Sequence, residues 1–201
     1  MLMADAHITG MALNARLSEL HTVISSTQVT NPSGNRLDAE TSIVQVLDLL
    51  RDLRRRKGSL YLVGNGGSAA VASHSMTDFL KVARLRAATL HDSSLITCMA
   101  NDYGYENAFG AILSILAQPG DALIAISSSG KSPNICNAAA KVRELGGSVI
   151  TLSGFAPDNP LRALGNLNIW LDSRDYGIVE IGHQFVLHNV ADRLGLECVG
   201  H

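Results

Sequence analysis

Cysteine is scarce in this sequence: three residues, Cys98, Cys136 and Cys198, widely spaced and with no Cys-x-x-Cys. They offer neither a disulfide framework nor a zinc knuckle. An excess of one charge is missing too. Against 18 Asp and Glu stand 16 Lys and Arg, a formal net charge of −2, so bulk electrostatics give no reason to expect nucleic acid as a partner. No apolar run approaches membrane-spanning length, and the first residues lack the basic start and apolar stretch of a secretory signal. A cytoplasmic protein without a membrane partner is the expectation. Apolar residues are plentiful, at 46% of 201 positions against 17% charged. That composition suits a globular chain with residues enough for one well-cored domain over 1–201.

Residues 1–57 read as helical. Leu13, Leu17, Leu20 and Val23 recur at three- and four-residue steps within Met11–Ile24. Leu37–Arg55 carries a second apolar stripe and runs into Arg54-Arg55-Arg56-Lys57, a basic end that suits a helix C-terminus. The polar stretch Ser25–Asn35 between them is expected to be a loop, which makes the pair a helical hairpin. So apolar a hairpin has surface to bury, and oligomer contacts are its expected use. From Ser59 the period changes. Short apolar runs at Leu60–Val63, Ala87–Leu90, Ala122–Ile126, Val149–Leu152 and Leu167–Leu171 are interspersed with helical segments at Ser68–Leu80, Glu106–Leu116, Pro133–Leu145 and Val179–Leu194. Residues 58–201 are therefore expected to form an α/β core, a parallel sheet covered on both faces.

Two glycine-containing turns carry the chemistry. Gly64-Asn65-Gly66-Gly67-Ser68 joins the first predicted strand to a helix, where free N–H groups and the helix dipole converge on an anion. Ser127-Ser128-Ser129-Gly130-Lys131-Ser132 follows the third strand and adds hydroxyls as neutral donors. Its Gly-Lys-Ser is not a nucleotide P-loop, because that motif needs glycine at position 125, which is Ala125. Gly64-x-Gly66-x-x-Ala69 fits a relaxed dinucleotide fingerprint with Asp92 near the ribose position, but a dinucleotide site has no use for the serine-rich turn. Behind the first loop, His74 and Asp78 stand one helical turn apart on one face. A phosphate cradle followed by a His/Asp pair points to chemistry on a phosphorylated small molecule.

Five collinear segments add to this: GNGGS at Gly64–Ser68, the His74 helix, ANDYGYENAF at Ala100–Phe109, ISSSGKS at Ile126–Ser132, and a last helix with His188. Together they resemble the sugar isomerase (SIS) domain, over nearly the whole chain. Within that group they look most like the phosphoheptose isomerases, which interconvert sedoheptulose 7-phosphate and a manno-heptose 7-phosphate. The resemblance implies a five-stranded parallel sheet flanked by helices and a homotetramer with active sites at subunit contacts. It implies sugar and phosphate contacts at Asn65, Gly66, Gly67, Ser68, Asp102, Ser127, Ser128, Ser129 and Ser132. It implies a divalent metal, zinc first, on His74, Asp78, Glu180 and His188, with Asp78 and His188 moving protons through an enediol.

The chain departs from that family's pattern at four positions. Asp78 stands where Glu is usual and Glu180 where Gln is usual, while Gly177 replaces an acidic residue and Val82 an arginine. Two histidines and two carboxylates still form an acceptable zinc set, and their oxygens tolerate harder ions. Glu180 and His188, however, are separated by about 12 Å of rise on a straight helix. They meet at one ion only if both lean inward or one comes from another subunit; Gln184 lies between them on the same stripe. Two alternatives stay open. One is an isomerase of another sugar phosphate, to which Gly177 and Val82 point. The other is a non-catalytic SIS protein that binds a sugar phosphate or a protein, as does the bacterial factor that associates with the replication initiator. That factor shares Ser-Ala-Ala after its glycine loop, like Ser68-Ala69-Ala70, but lacks a histidine at the position of His188. His183 reads as a surface or satisfied core histidine, and His91 carries no argument.

Overall fold

The computed structural model describes residues 11–198. In chain order the elements are α1 (Leu13–Ser25), β1 (Gln28–Thr30), β2 (Arg36–Leu37), α2 (Ala39–Arg55), β3 (Ser59–Val63), α3 (Gly67–Lys81) and β4 (Arg86–Thr89). There follow α4 (Ser93–Tyr103), α5 (Ala108–Leu116), β5 (Ala122–Ser127), α6 (Pro133–Glu144), β6 (Ser148–Ser153), a 3-10 turn (Pro160–Ala163), β7 (Leu167–Trp170) and α7 (Tyr176–Leu196).

All strands join one sheet in the order β2-β1-β7-β6-β5-β3-β4. The five strands expected from the sequence pair in parallel. The sheet is larger than expected, because the stretch read as a loop contributes an antiparallel hairpin at one edge. In it β1 pairs with β2 and also with β7, Val29 lying opposite Ile169. Val29 is fully buried, and the hairpin covers what would otherwise be an open edge of the parallel sheet. Strands this short show no period, so the polar composition around them dominates the sequence reading.

Alternate strand residues serve two cores. Leu60, Leu62, Ile124 and Ile126 pack with α2, α3 and α7, while Tyr61, Val63, Leu123 and Ala125 pack with α5 and α6. Burial on both faces is why these strands are continuous apolar runs. The N-terminal helices do not pair chiefly with each other; each lies mainly on α7. On α2, Val46, Leu47, Leu50 and Leu53 are buried, and Asp38 caps its start by accepting from the Thr41 N–H at 2.8 Å. Arg51 and Arg54, near its basic end, pair with Glu197 just beyond α7. Among the described residues no helix is long and apolar enough to cross a membrane.

The functional geometry begins at β3 and β5. They are neighbours in register, with Val63 opposite Ala125, so their C-terminal ends emerge level. From there α3 turns onto one face of the sheet and α6 onto the other. The loops that precede them thus meet at a switch point, where open α/β sheets bind ligands.

Candidate active site

Between the two loops lies a cleft of about 260 Å³, lined by Asn65, Gly66, Gly67, Ser68, Ser127, Ser128, Ser129, Ser132, Tyr176 and Glu180. Every residue expected to contact substrate is there except Asp102. That carboxylate lies at the exposed end of α4, 2.8 Å from the Asn101 amide. Gly66 turns the first loop with a φ of +54°, a conformation that favours glycine. In the second loop Ser127 and Ser132 place their hydroxyls 3.1 Å apart, and Ser129 Oγ accepts from the Lys131 N–H at 3.3 Å. Buried Ser68 and Ser128 link the loops, Oγ to Oγ, at 3.5 Å. No lysine or arginine lines this cleft among the described residues, and Lys131 is exposed outside it. An anion here meets hydroxyls and two helix N-termini, not a cation.

Residues without a sequence signal hold the loops in place. Asn65 and Asn134, at the start of α6, exchange two amide hydrogen bonds of 2.9 Å each. The Tyr105 hydroxyl donates to Asn65 Oδ1 at 2.8 Å, so the Asn65 amide is occupied by protein partners. The Gly64 N–H donates to His91 Nε2 at 3.2 Å, and His91 Nδ1 faces Ser73 Oγ at 3.4 Å. Burial depresses the His91 pKa below its ordinary 6.5, which favours the neutral ring as acceptor. His183 is fully buried and approaches the Ser153 carbonyl through Nε2 at 3.1 Å. Its Nδ1 is buried without a partner, and desolvation pushes its pKa down to about 4. Ser153 pairs with Ser127 across β5 and β6, so this contact anchors α7 beside the serine loop.

A wider groove of about 490 Å³ adjoins the cleft and shares Gly67 and Glu180 with it. His74, Gln184 and His188 also line it. Because α3 packs along α7, His188 joins the His74–Asp78 pair. Asp78 Oδ2 stands 3.0 Å from His188 Nδ1 and 3.6 Å from His74 Nε2. Neither approach is aligned as a hydrogen bond, and Asp78 Oδ2 is buried without a partner. One donor atom from each of the three residues falls within 4.8 Å of the others. Two imidazoles and a carboxylate around an unsatisfied buried oxygen fit a divalent cation.

Glu180 is not part of this trio. Its carboxylate lies over Gly67, where a Cβ would stand 2.3 Å from both oxygens. Glu180 and His188 stand eight residues apart on α7, and only His188 joins His74 and Asp78. Gln184 is drawn instead to Ser75, donating at 3.3 Å. Val82 packs away from the cleft, where a Cβ on Gly195 would lie 2.4 Å from it. Tyr176 is the unforeseen wall residue; the signal for it was its place one turn before Glu180.

Residues 35–154 match the profile of the SIS domain. A phosphoheptose isomerase of Trichlorobacter lovleyi is 33% identical over 165 residues, 78% of this chain and 84% of that protein. One of Pelobacter propionicus is 39% identical over 144 residues, 68% of this chain and 76% of that protein. Among solved structures, a phosphoheptose isomerase from Neisseria gonorrhoeae has a TM-score of 0.74, covering 96% of this chain and 98% of its own, at 23% identity. This last likeness shows the fold. The chain belongs to the SIS-domain family. Within that family it groups with the relatives named phosphoheptose isomerases, which match it over most of its length.

Proposed function

We propose that this protein is a ketose–aldose isomerase that converts sedoheptulose 7-phosphate through an enediol. The observation that carries the reading is the continuity of the serine-loop cleft with the groove bordered by His74 and His188. The phosphate sits among Ser68, Ser127, Ser128, Ser129 and Ser132, at the N-termini of α3 and α6. Tyr176, Glu180, Gln184 and His188, four residues apart on α7, form the wall along which the carbon chain extends. An extended seven-carbon phosphate measures about 10 Å from phosphorus to C1, comparable with the rise of about 12 Å from Glu180 to His188. The carbonyl end thus reaches the trio.

His74, Asp78 and His188 hold a divalent metal, zinc by the chemistry of the set. Such an ion supplies a Lewis acid for the sugar carbonyl. Asp78 and His188 move the proton between C1 and C2. Asp78 Oδ2 lies 3.0 Å from His188 Nδ1, close enough for the two groups to act on one substrate. The whole chain acts as one SIS domain, in a cytoplasmic homotetramer. Leu13 and Leu17 on α1, with Ile181 and Phe185 on α7, support the assembly, because a single copy leaves each more than half exposed. The test is turnover of sedoheptulose 7-phosphate before and after chelation. Loss on chelation with recovery on adding zinc is expected; activity indifferent to chelation would reject the metal, and no aldose at all would reject the isomerase.

A further inference from the structure

Glu180 is the one charged side chain among the described residues that line the serine-loop cleft, and its sign is wrong for an anion site. Shape holds it there. The glycine at position 67 leaves room for the carboxylate directly over the first turn of α3, where a Cβ would collide with both oxygens at 2.3 Å. Glu180 also borders the adjoining groove, so it flanks both a bound phosphate and the first carbons attached to it. Its carboxylate stands outside the His74/Asp78/His188 group.

We propose that Glu180 makes the cleft selective for polyhydroxylated phosphate esters over bare phosphate, an inference that rests on the isomerase reading above. Inorganic phosphate, an anion whose only donors are its own P–OH groups, meets a carboxylate that no cation lining the cleft among the described residues offsets. A sugar phosphate sets a chain hydroxyl against the same carboxylate and gains a charge-assisted hydrogen bond. The carboxylate thereby repels either phosphate group, and only the ligand that brings a chain hydroxyl offsets that repulsion. With only hydroxyls and N–H groups around it, the cleft would otherwise accept any phosphate of suitable size.

The signature is a crossing of affinities. Calorimetry on the whole protein at neutral pH, with inorganic phosphate and sedoheptulose 7-phosphate as probes, compares wild type with Glu180→Gln and Glu180→Ala. Both variants should bind inorganic phosphate tighter, by about threefold or more. Glu180→Ala should bind the sugar phosphate weaker, by about tenfold or more, with Glu180→Gln between it and wild type. A merely structural role weakens both ligands together; that outcome, or unchanged constants, would overturn the proposal. Metal content is read on the same samples and should stay at the wild-type level; its loss in Glu180→Gln would make the residue a ligand and overturn it equally. Failure of the wild type to isomerise would reject the isomerase reading, while the two binding constants still decide the role of Glu180.

Discussion

Lowering the pH should destabilise the folded chain through one residue, His183. The ring is fully buried, with Nε2 at the Ser153 carbonyl and Nδ1 facing no partner. Desolvation therefore holds its pKa at about 4, against 6.5 for a free histidine. As pH falls below 6.5 the unfolded chain takes up a proton that the native ring refuses until about 4. The stabilising effect is whole above about pH 7 and is lost progressively down to about pH 4. A shift of this size amounts to about 3 kcal/mol in all, of which about 2 kcal/mol is gone by pH 5. Other groups titrate in the same window, so the variant His183→Gln supplies the difference. Urea unfolding followed by circular dichroism, at fixed protein concentration and at pH 7, 6 and 5, gives the two stability curves. Wild type should lose about 2 kcal/mol more than His183→Gln between pH 7 and 5, despite being the more stable at pH 7. Parallel curves would refute the reasoning.

Three more outcomes follow from the site. His91→Phe removes the acceptor of the buried Gly64 N–H, a loss of about 1–3 kcal/mol at the loop; steady-state kinetics should show a higher KM with kcat nearly unchanged. In wild type the same KM should rise on the acid side only, below the depressed pKa of His91, where the ring gains a proton and stops accepting. Asp78→Asn should weaken metal binding about 10- to 100-fold or more, read by equilibrium dialysis with zinc. Asn134→Ala breaks both amide bonds to Asn65, and thermal denaturation should show a loss of about 1–3 kcal/mol together with weaker phosphate binding.

β3, β5, β6 and β7 were legible because burial on both faces makes them mainly apolar; β4, at the sheet edge, has no fully buried residue and was legible only from its short run Ala87–Leu90. The hairpin of β1 and β2 was not, since Val29 is its one fully buried apolar side chain within a polar segment. Likewise α4 buries no residue completely; Leu95, Ile96 and Met99 meet the core only in part. Both cleft-lining loops could be read from glycine and serine placed between a strand and a helix, a local pattern. His74 and Asp78 could be paired from their spacing alone. The approach of His188, by contrast, depends on how α7 packs against α3. Asn134, Tyr105 and His91 support the first loop from other parts of the chain, and spacing in the sequence carries no trace of such contacts. Asp102 came from a motif; in the single chain it lies at the exposed end of α4, outside the serine-loop cleft.

The central claim is tested most directly by incubating the metal-loaded protein with sedoheptulose 7-phosphate in heavy water and following the sugar by NMR. An enediol pathway predicts an aldose 7-phosphate carrying deuterium at C2, because the proton removed from C1 exchanges before its return. A ketose that stays unconverted and undeuterated, in the presence of protein that binds it, would contradict the isomerase and leave a sugar-phosphate binding protein in its place.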